Sequence, residues 1–124
     1  MCRILVADND AVQLDLHKTV LEIAGHQVDL AISVAGALRY IQRGRAELVI
    51  MDLRFPNPSG QQDPGEGMIL IRGIREIDCA VPVIVLSGWP DALYGRPEER
   101  MVSRILLKPV KTPTLLKTIR ELVS

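Results

Sequence analysis

Asp52 ends an apolar run, Leu48-Val49-Ile50-Met51. An aspartate at the carboxyl end of a buried strand stands where open α/β sheets bind their ligands. Three more signals follow runs of Ile, Leu and Val: Asp8-Asn9-Asp10, Ser87-Gly88 and Lys108-Pro109. If these runs are strands of one parallel sheet, acids, a hydroxyl and an amine gather on one edge. Asp8, Asn9 and Asp52 then offer hard oxygen ligands of the type Mg²⁺ prefers. Clustered carboxylates repel each other, and a divalent ion relieves that strain while neutralising an incoming phosphoryl group. In this arrangement Asp52 is the nucleophile that forms an aspartyl phosphate. Lys108 pairs with phosphoryl oxygens as a point charge, and Ser87 donates a hydrogen bond to another. Phosphoryl transfer depends mainly on positioning and charge neutralisation, which these groups supply.

Each signal alone has a plainer explanation. Asp8 and Asp10 suit the cap of a first helix, where acids favour the helix dipole. Ser-Gly and Lys-Pro are ordinary turn dipeptides. The inference rests on their coincidence, each after its own strand in one chain.

The elements that must position these residues alternate along 124 residues, a length that suggests one domain over 1–124. Ile4 to Ala7 reads as a buried strand. Leu14, Leu16, Val20, Leu21 and Ala24 have helical spacing, stopped by Gly25. Val28 to Ile32 is a second strand, and Ser33 caps a helix with Val34, Ala37, Leu38 and Ile41 inward. Leu48 to Met51 is the third strand. The prolines and glycines of residues 56–67 exclude regular structure there. Leu70, Ile71 and Ile74 mark a third helix, and Pro82 to Leu86 a fourth strand. Gly95 and Pro97 interrupt the next helix, leaving a shorter, displaced one around Glu98 to Val102. Ile105 to Leu107 is the fifth strand. Thr112 and Pro113 then cap and open a last helix, whose Leu115, Leu116, Ile119, Leu122 and Val123 face the sheet. The expected architecture is α/β, (βα)5, with helices on both faces of a parallel sheet.

Composition narrows the classes of function. Hydrophobic residues make up 48% but aromatics only 3%, so the core is built from Ile, Leu, Val and Ala. Fifteen basic and fifteen acidic residues cancel, which leaves no basic field for direct nucleic-acid binding. No apolar run approaches the roughly 18 residues of a membrane span. Met1-Cys2-Arg3 leads straight into a strand, without space for a signal peptide. Cys2 and Cys79 have no metal spacing and read as reduced thiols of a cytoplasmic protein.

The chain resembles the receiver domain of two-component response regulators over nearly its whole length. The resemblance lies in Ile4-Leu5-Val6-Ala7-Asp8-Asn9-Asp10 and in Leu48-Val49-Ile50-Met51-Asp52-Leu53 with Pro56 beyond it. Val85-Leu86-Ser87-Gly88 and Leu107-Lys108-Pro109 complete it. It implies the flavodoxin-like doubly wound sheet, a five-stranded parallel sheet of order 2-1-3-4-5. It also implies phosphorylation of Asp52 by a histidine kinase or phosphotransfer protein with Mg²⁺. The carbonyl of Arg54 joins the metal ligands by position, and a cis bond precedes Pro109 and orients Lys108. Such a chain is a signalling phosphoacceptor rather than an enzyme. Phosphorylation shifts the 89–123 face, which meets a downstream protein or a second receiver. No output domain follows the last helix, as in a single-domain regulator or a piece of a longer protein.

The chain departs from the family pattern in several places. Asn9 stands where a second acid is usual, which removes one charge from the metal site and predicts weaker Mg²⁺ binding. Ile105 replaces the aromatic switch residue of strand five. The 56–67 loop is longer than typical. Arg54 and Trp89, two residues beyond Asp52 and Ser87, are bulky and predict slow loss of phosphate by water exclusion, although Trp89 also suits a half-buried packing role.

Asn9 and Ile105 motivate a rival reading, a degenerate receiver that binds partners independently of phosphorylation. A second rival takes Asp8-Asn9-Asp10-Ala11-Val12 as the first motif of a haloacid dehalogenase-type phosphatase with Asp8 as nucleophile. It leaves Asp52 and Lys108 unexplained, and no late acidic pair or cap domain accompanies it. A flavin-binding electron carrier shares the fold, but no Ser/Thr-rich phosphate loop follows strand one.

Overall fold

A computed structural model describes residues 2–123. The strands β1 (Arg3–Ala7), β2 (Gln27–Ala31), β3 (Leu48–Asp52), β6 (Val83–Ser87) and β7 (Arg104–Leu107) form one sheet of order β2-β1-β3-β6-β7. All four pairings are parallel. In order of position this is the expected 2-1-3-4-5, with each boundary within a residue or so of the sequence pattern. Side chains alternate across the pleat, so each strand feeds two cores. Ile4, Val6, Leu48, Ile50, Ile84 and Leu86 pack on one face with Leu14 and Leu21 of α1 (Ala11–Ile23) and Leu115 and Ile119 of α4 (Thr112–Leu122). Leu5, Ala7, Val49, Met51, Val83 and Val85 pack on the other face. There they meet Ala37 and Ile41 of α2 (Val34–Gln42) and Leu70, Ile71 and Ile74 of α3 (Pro64–Ile77). Near-continuous apolar strands are what a sheet covered on both faces requires.

Local signals account for the helix starts. Asp10 caps α1 by accepting from the N–H groups of Val12 and Gln13, and Ser33 caps α2 by accepting from Gly36. The last helix differs from expectation: its cap position is Lys111, with no side-chain cap bond, and Thr112 is already helical. The inward face of α1 also differs. Leu16 is 54% exposed, and the buried positions are Leu14, His17 and Leu21, at i, i+3 and i+7. Leu16 falls about 100° per residue away from that stripe, so its apolarity does not bury it.

The two Gly- and Pro-rich stretches fold more than their composition suggests. Within 56–67, β4 (Phe55–Pro56) pairs antiparallel with β5 (Gln62–Asp63). Asn57 closes the turn, its Oδ1 accepting from the N–H groups of Ser59 and Gln61. Helix α3 then begins at Pro64 and takes Gly65 and Gly67 into its first turns, because Asp63 caps it and proline suits the first position. Gly67 allows close packing: a Cβ there would lie 2.0 Å from the Leu53 carbonyl oxygen.

The expected short helix around Glu98 to Val102 is present as a 3-10 helix, Pro97–Met101, preceded by a second 3-10 turn, Pro90–Ala92. The described residues therefore hold four α-helices rather than the expected five. Gly95 at φ 80° breaks the helical path, and Pro97 has no N–H to donate.

Candidate functional site

Parallel register brings the carboxyl ends of β1, β3, β6 and β7 to one edge, where β1 and β3 diverge toward opposite helix layers. Asp8 follows β1 and is only 3% exposed. Its Oδ1 accepts from the Asp10 N–H at 2.9 Å, and its Oδ2 accepts from Lys108 Nζ at 3.2 Å. Asp52, the last residue of β3, places Oδ2 3.3 Å from the same ammonium. Lys108 thus sits between two carboxylates from neighbouring strands and offsets the repulsion that buried acids would otherwise suffer. Asp52 Oδ1 accepts from the Leu53 N–H at 2.7 Å.

Ser87 ends β6, is 2% exposed, and accepts on Oγ from the Trp89 N–H at 3.0 Å. The Lys108 N–H donates to the Ser87 carbonyl at 2.9 Å, and the Lys108–Pro109 bond is cis, as expected. A cavity of about 250 Å³ opens over this edge, lined by Asp52, Arg54, Ser87, Gly88, Trp89 and Lys108. An anionic group entering it meets the Lys108 ammonium and the Ser87 hydroxyl beside the Asp52 carboxylate.

The structure therefore joins Asp8, Asp52 and Lys108 directly and sets Ser87 in the same cavity. Arg54 and Trp89 stand on its rim, both exposed. Asn9 is half-buried in the turn into α1 and does not line this cavity. Among the described residues no group of three or more His, Cys, Asp or Glu side chains is arranged to hold a metal. Mg²⁺ does not demand one: it binds through one or two carboxylates and keeps several waters. The Asp8 and Asp52 carboxylates, both beside the Lys108 ammonium, fit that chemistry.

Sequence reasoning missed His17. It is 8% exposed and lines a second cleft of about 480 Å³ with Asp10, Gln13, Leu16, Lys108, Pro109 and Val110. Its Nδ1 is buried with no hydrogen-bond partner. Burial lowers its pKa, nearby Lys108 lowers it further, and Asp8 opposes both. The available signal was spacing, since position 17 lies on the Leu14–Leu21 stripe.

Curated relatives agree with this geometry. The chain is 34% identical over 94 residues to the virulence transcriptional regulatory protein PhoP of Salmonella typhimurium, a match covering 73% of this chain and 39% of that protein. The chain thus spans less than half the length of that relative. Its fold superposes on a response regulator receiver domain protein from Clostridium thermocellum with a TM-score of 0.84. That pair is 26% identical, with 99% of this chain and 94% of the other covered. The response regulator TrrA of Thermotoga maritima, solved in complex with Mg(2+)-BeF, is 23% identical, with a TM-score of 0.85 and coverage of 99% and 100%. TrrA has also been solved in complex with the histidine kinase ThkA. The family model of the response regulator receiver domain matches residues 4–120, nearly the whole chain. With the doubly wound sheet and the aspartates and lysine at its carboxyl edge, this match establishes that the chain belongs to the receiver domains of two-component response regulators.

Proposed function

We propose that Asp52 is the phosphoacceptor of this receiver and that Asp8, Asn9 and the Arg54 carbonyl join it in holding Mg²⁺. The observation that carries the reading is the Lys108 ammonium between Asp8 and Asp52, at 3.2 and 3.3 Å, beside the Ser87 hydroxyl. An Asp52 carboxylate oxygen attacks the phosphorus of a phosphohistidine on a histidine kinase or phosphotransfer protein. The P–N bond breaks, and the imidazole leaves carrying the electron pair and takes a proton. Lys108 and Ser87 bind the oxygens of the transferred group, and the rim residues Arg54 and Trp89 limit water access. Mg²⁺, when bound, supplies neutralising charge for the phosphoryl group.

The chain acts as a switch rather than as an enzyme on other substrates, catalysing at most its own phosphorylation and dephosphorylation. Its output is the 89–123 face, which meets a downstream protein or a second receiver. Among the described residues no helix is long and apolar enough to cross a membrane. We assign the chain to the cytoplasm and read it as one receiver unit.

Asn9 and Ile105 favour a second reading, a module that binds partners without phosphorylation. Ile105 packs, half-buried, against the core and has no ring to rotate. The phosphatase reading has less support, since Asp8 is buried and both its oxygens are engaged.

Intact mass after incubation with a small phosphodonor and Mg²⁺ separates these readings. The wild type is expected to gain one phosphoryl group and Asp52→Asn none. No gain in the wild type at high Mg²⁺ would leave the phosphorylation-independent module.

A further inference from the structure

The segment joining Ser87 to β7 is tied to α3 by two arginines. Arg72 donates from Nη1 to Glu98 Oε2 at 2.6 Å; its side chain is half-exposed, whereas Glu98 is only 5% exposed. The Arg72 guanidinium holds the Glu98 carboxyl below the usual carboxylate range, so the pair is ionic at neutral pH. One turn on, Arg75 donates from Nε to the Met101 carbonyl and from Nη1 to the Val81 carbonyl, both at 2.7 Å. With Arg72 half-exposed, the Arg72–Glu98 pair is screened by solvent and adds little stability. It suits a contact that must hold in one state and break in another.

The other end of the segment begins at the cavity over Asp52. The Trp89 N–H donates to Ser87 Oγ, and Gly88 and Trp89 line the cavity wall. A phosphoryl oxygen that takes the Ser87 hydroxyl as donor pulls on this end. Gly95 lies between the two ends at positive φ, with open space around it. Ile105 packs in the same apolar cluster as Leu93 and Met101, directly behind the segment.

From this arrangement we infer that residues 89–101 are a strap latched to α3 by the Arg72–Glu98 pair, and that phosphorylation releases the latch. The inference rests on the phosphoacceptor reading of Asp52. It assigns the strap the signalling step that Ile105 cannot perform by ring rotation. A contact present in one state only biases the equilibrium, and its loss favours whatever binds the other state.

The test uses beryllofluoride with Mg²⁺ as the phosphoryl stand-in. Trp89, the sole tryptophan, reports binding by fluorescence, and hydrogen exchange follows peptides across 94–101. Glu98→Gln and Arg72→Gln are compared with the wild type. Without beryllofluoride both variants are expected to exchange faster than wild type across 94–101. Both are expected to bind beryllofluoride about fivefold or more tightly, a typical coupling between sites. Wild-type exchange is expected to rise toward the variants' level on binding. Unchanged affinity in variants whose exchange has risen overturns the latch and leaves a structural ion pair. Wild-type exchange that does not rise on binding also overturns it. A wild type that binds no beryllofluoride overturns the phosphoacceptor reading and the latch with it. Should Glu98→Gln fail to fold, because its position is buried, the half-exposed Arg72 site still decides the outcome.

Discussion

The Lys108 ammonium is shared by two carboxylates, and this sharing determines what neighbouring residues can change. Asn9 follows Asp8 in the chain and carries an amide where an acid would add a charge. Replacing it with aspartate adds a negative charge near the proposed metal ligands, where Coulomb energies are several-fold stronger than in bulk water. Asn9→Asp is therefore expected to bind Mg²⁺ at least several-fold more tightly, read by titrating Trp89 fluorescence; unchanged affinity would remove Asn9 from the metal site. Arg54 and Trp89 act on a different quantity. Both line the cavity mouth, so shortening them admits water to the phosphoryl group. The half-life of phosphorylated Asp52, followed by intact mass, is expected to fall several-fold in Arg54→Ala, Trp89→Ala. An unchanged half-life would make Trp89 a packing residue only.

At the scale of elements, the approach of α3 to the end of β3 is the tightest constraint near the site. Gly67 allows it, since a Cβ there would strike the Leu53 backbone. Backbone cannot yield as a flexible side chain does, so Gly67→Ala is expected to cost about 3 kcal/mol in urea unfolding, at the upper end of overpacking penalties. Leu53 adjoins Asp52, so the same variant is also expected to slow phosphorylation. The hairpin of β4 and β5 and the start of α3 were not legible in residues 56–67, because glycine and proline report backbone freedom rather than its use. What overrode composition was the Asp63 cap and the packing of Phe55, which is buried. The two 3-10 turns show the reverse case. Gly95 and Pro97 correctly signalled a broken helix, but only α3 with Arg72 and Arg75 decided where the broken segment lies.

For the whole molecule, His17 links stability to pH. Burial and Lys108 lower its pKa in the folded state below the ordinary value of 6.5. The unfolded chain then binds more protons between the folded pKa and about 6.5, so stability rises with pH there and is lost as pH falls. His26 is shifted in the same direction, chiefly by burial, and adds to the trend. Urea midpoints measured from pH 8 down to pH 5 are expected to fall below about pH 6.5 in the wild type. The fall is expected to be smaller in His17→Phe; an equal fall would show that His17 titrates as freely folded as unfolded.

The five strands and the gathering of Asp8, Asp52, Ser87 and Lys108 at one edge were legible in the residue pattern, and the strand order in the resemblance to receiver domains. Each strand carries its own apolar run, and parallel strands covered on both faces have one arrangement of carboxyl ends. The caps at Asp10 and Ser33 were legible for the same local reason. Contacts distant in sequence were decided by tertiary structure alone. Lys108 meets Asp8 across 100 residues, and Arg72 meets Glu98 across 26. His17 was hidden because its burial depends on which face of α1 meets the sheet, and Leu16 competed for that face by apolarity alone. Local patterns determine which elements form and where chemistry sits along them; packing determines which charges are buried together, and so which groups are coupled.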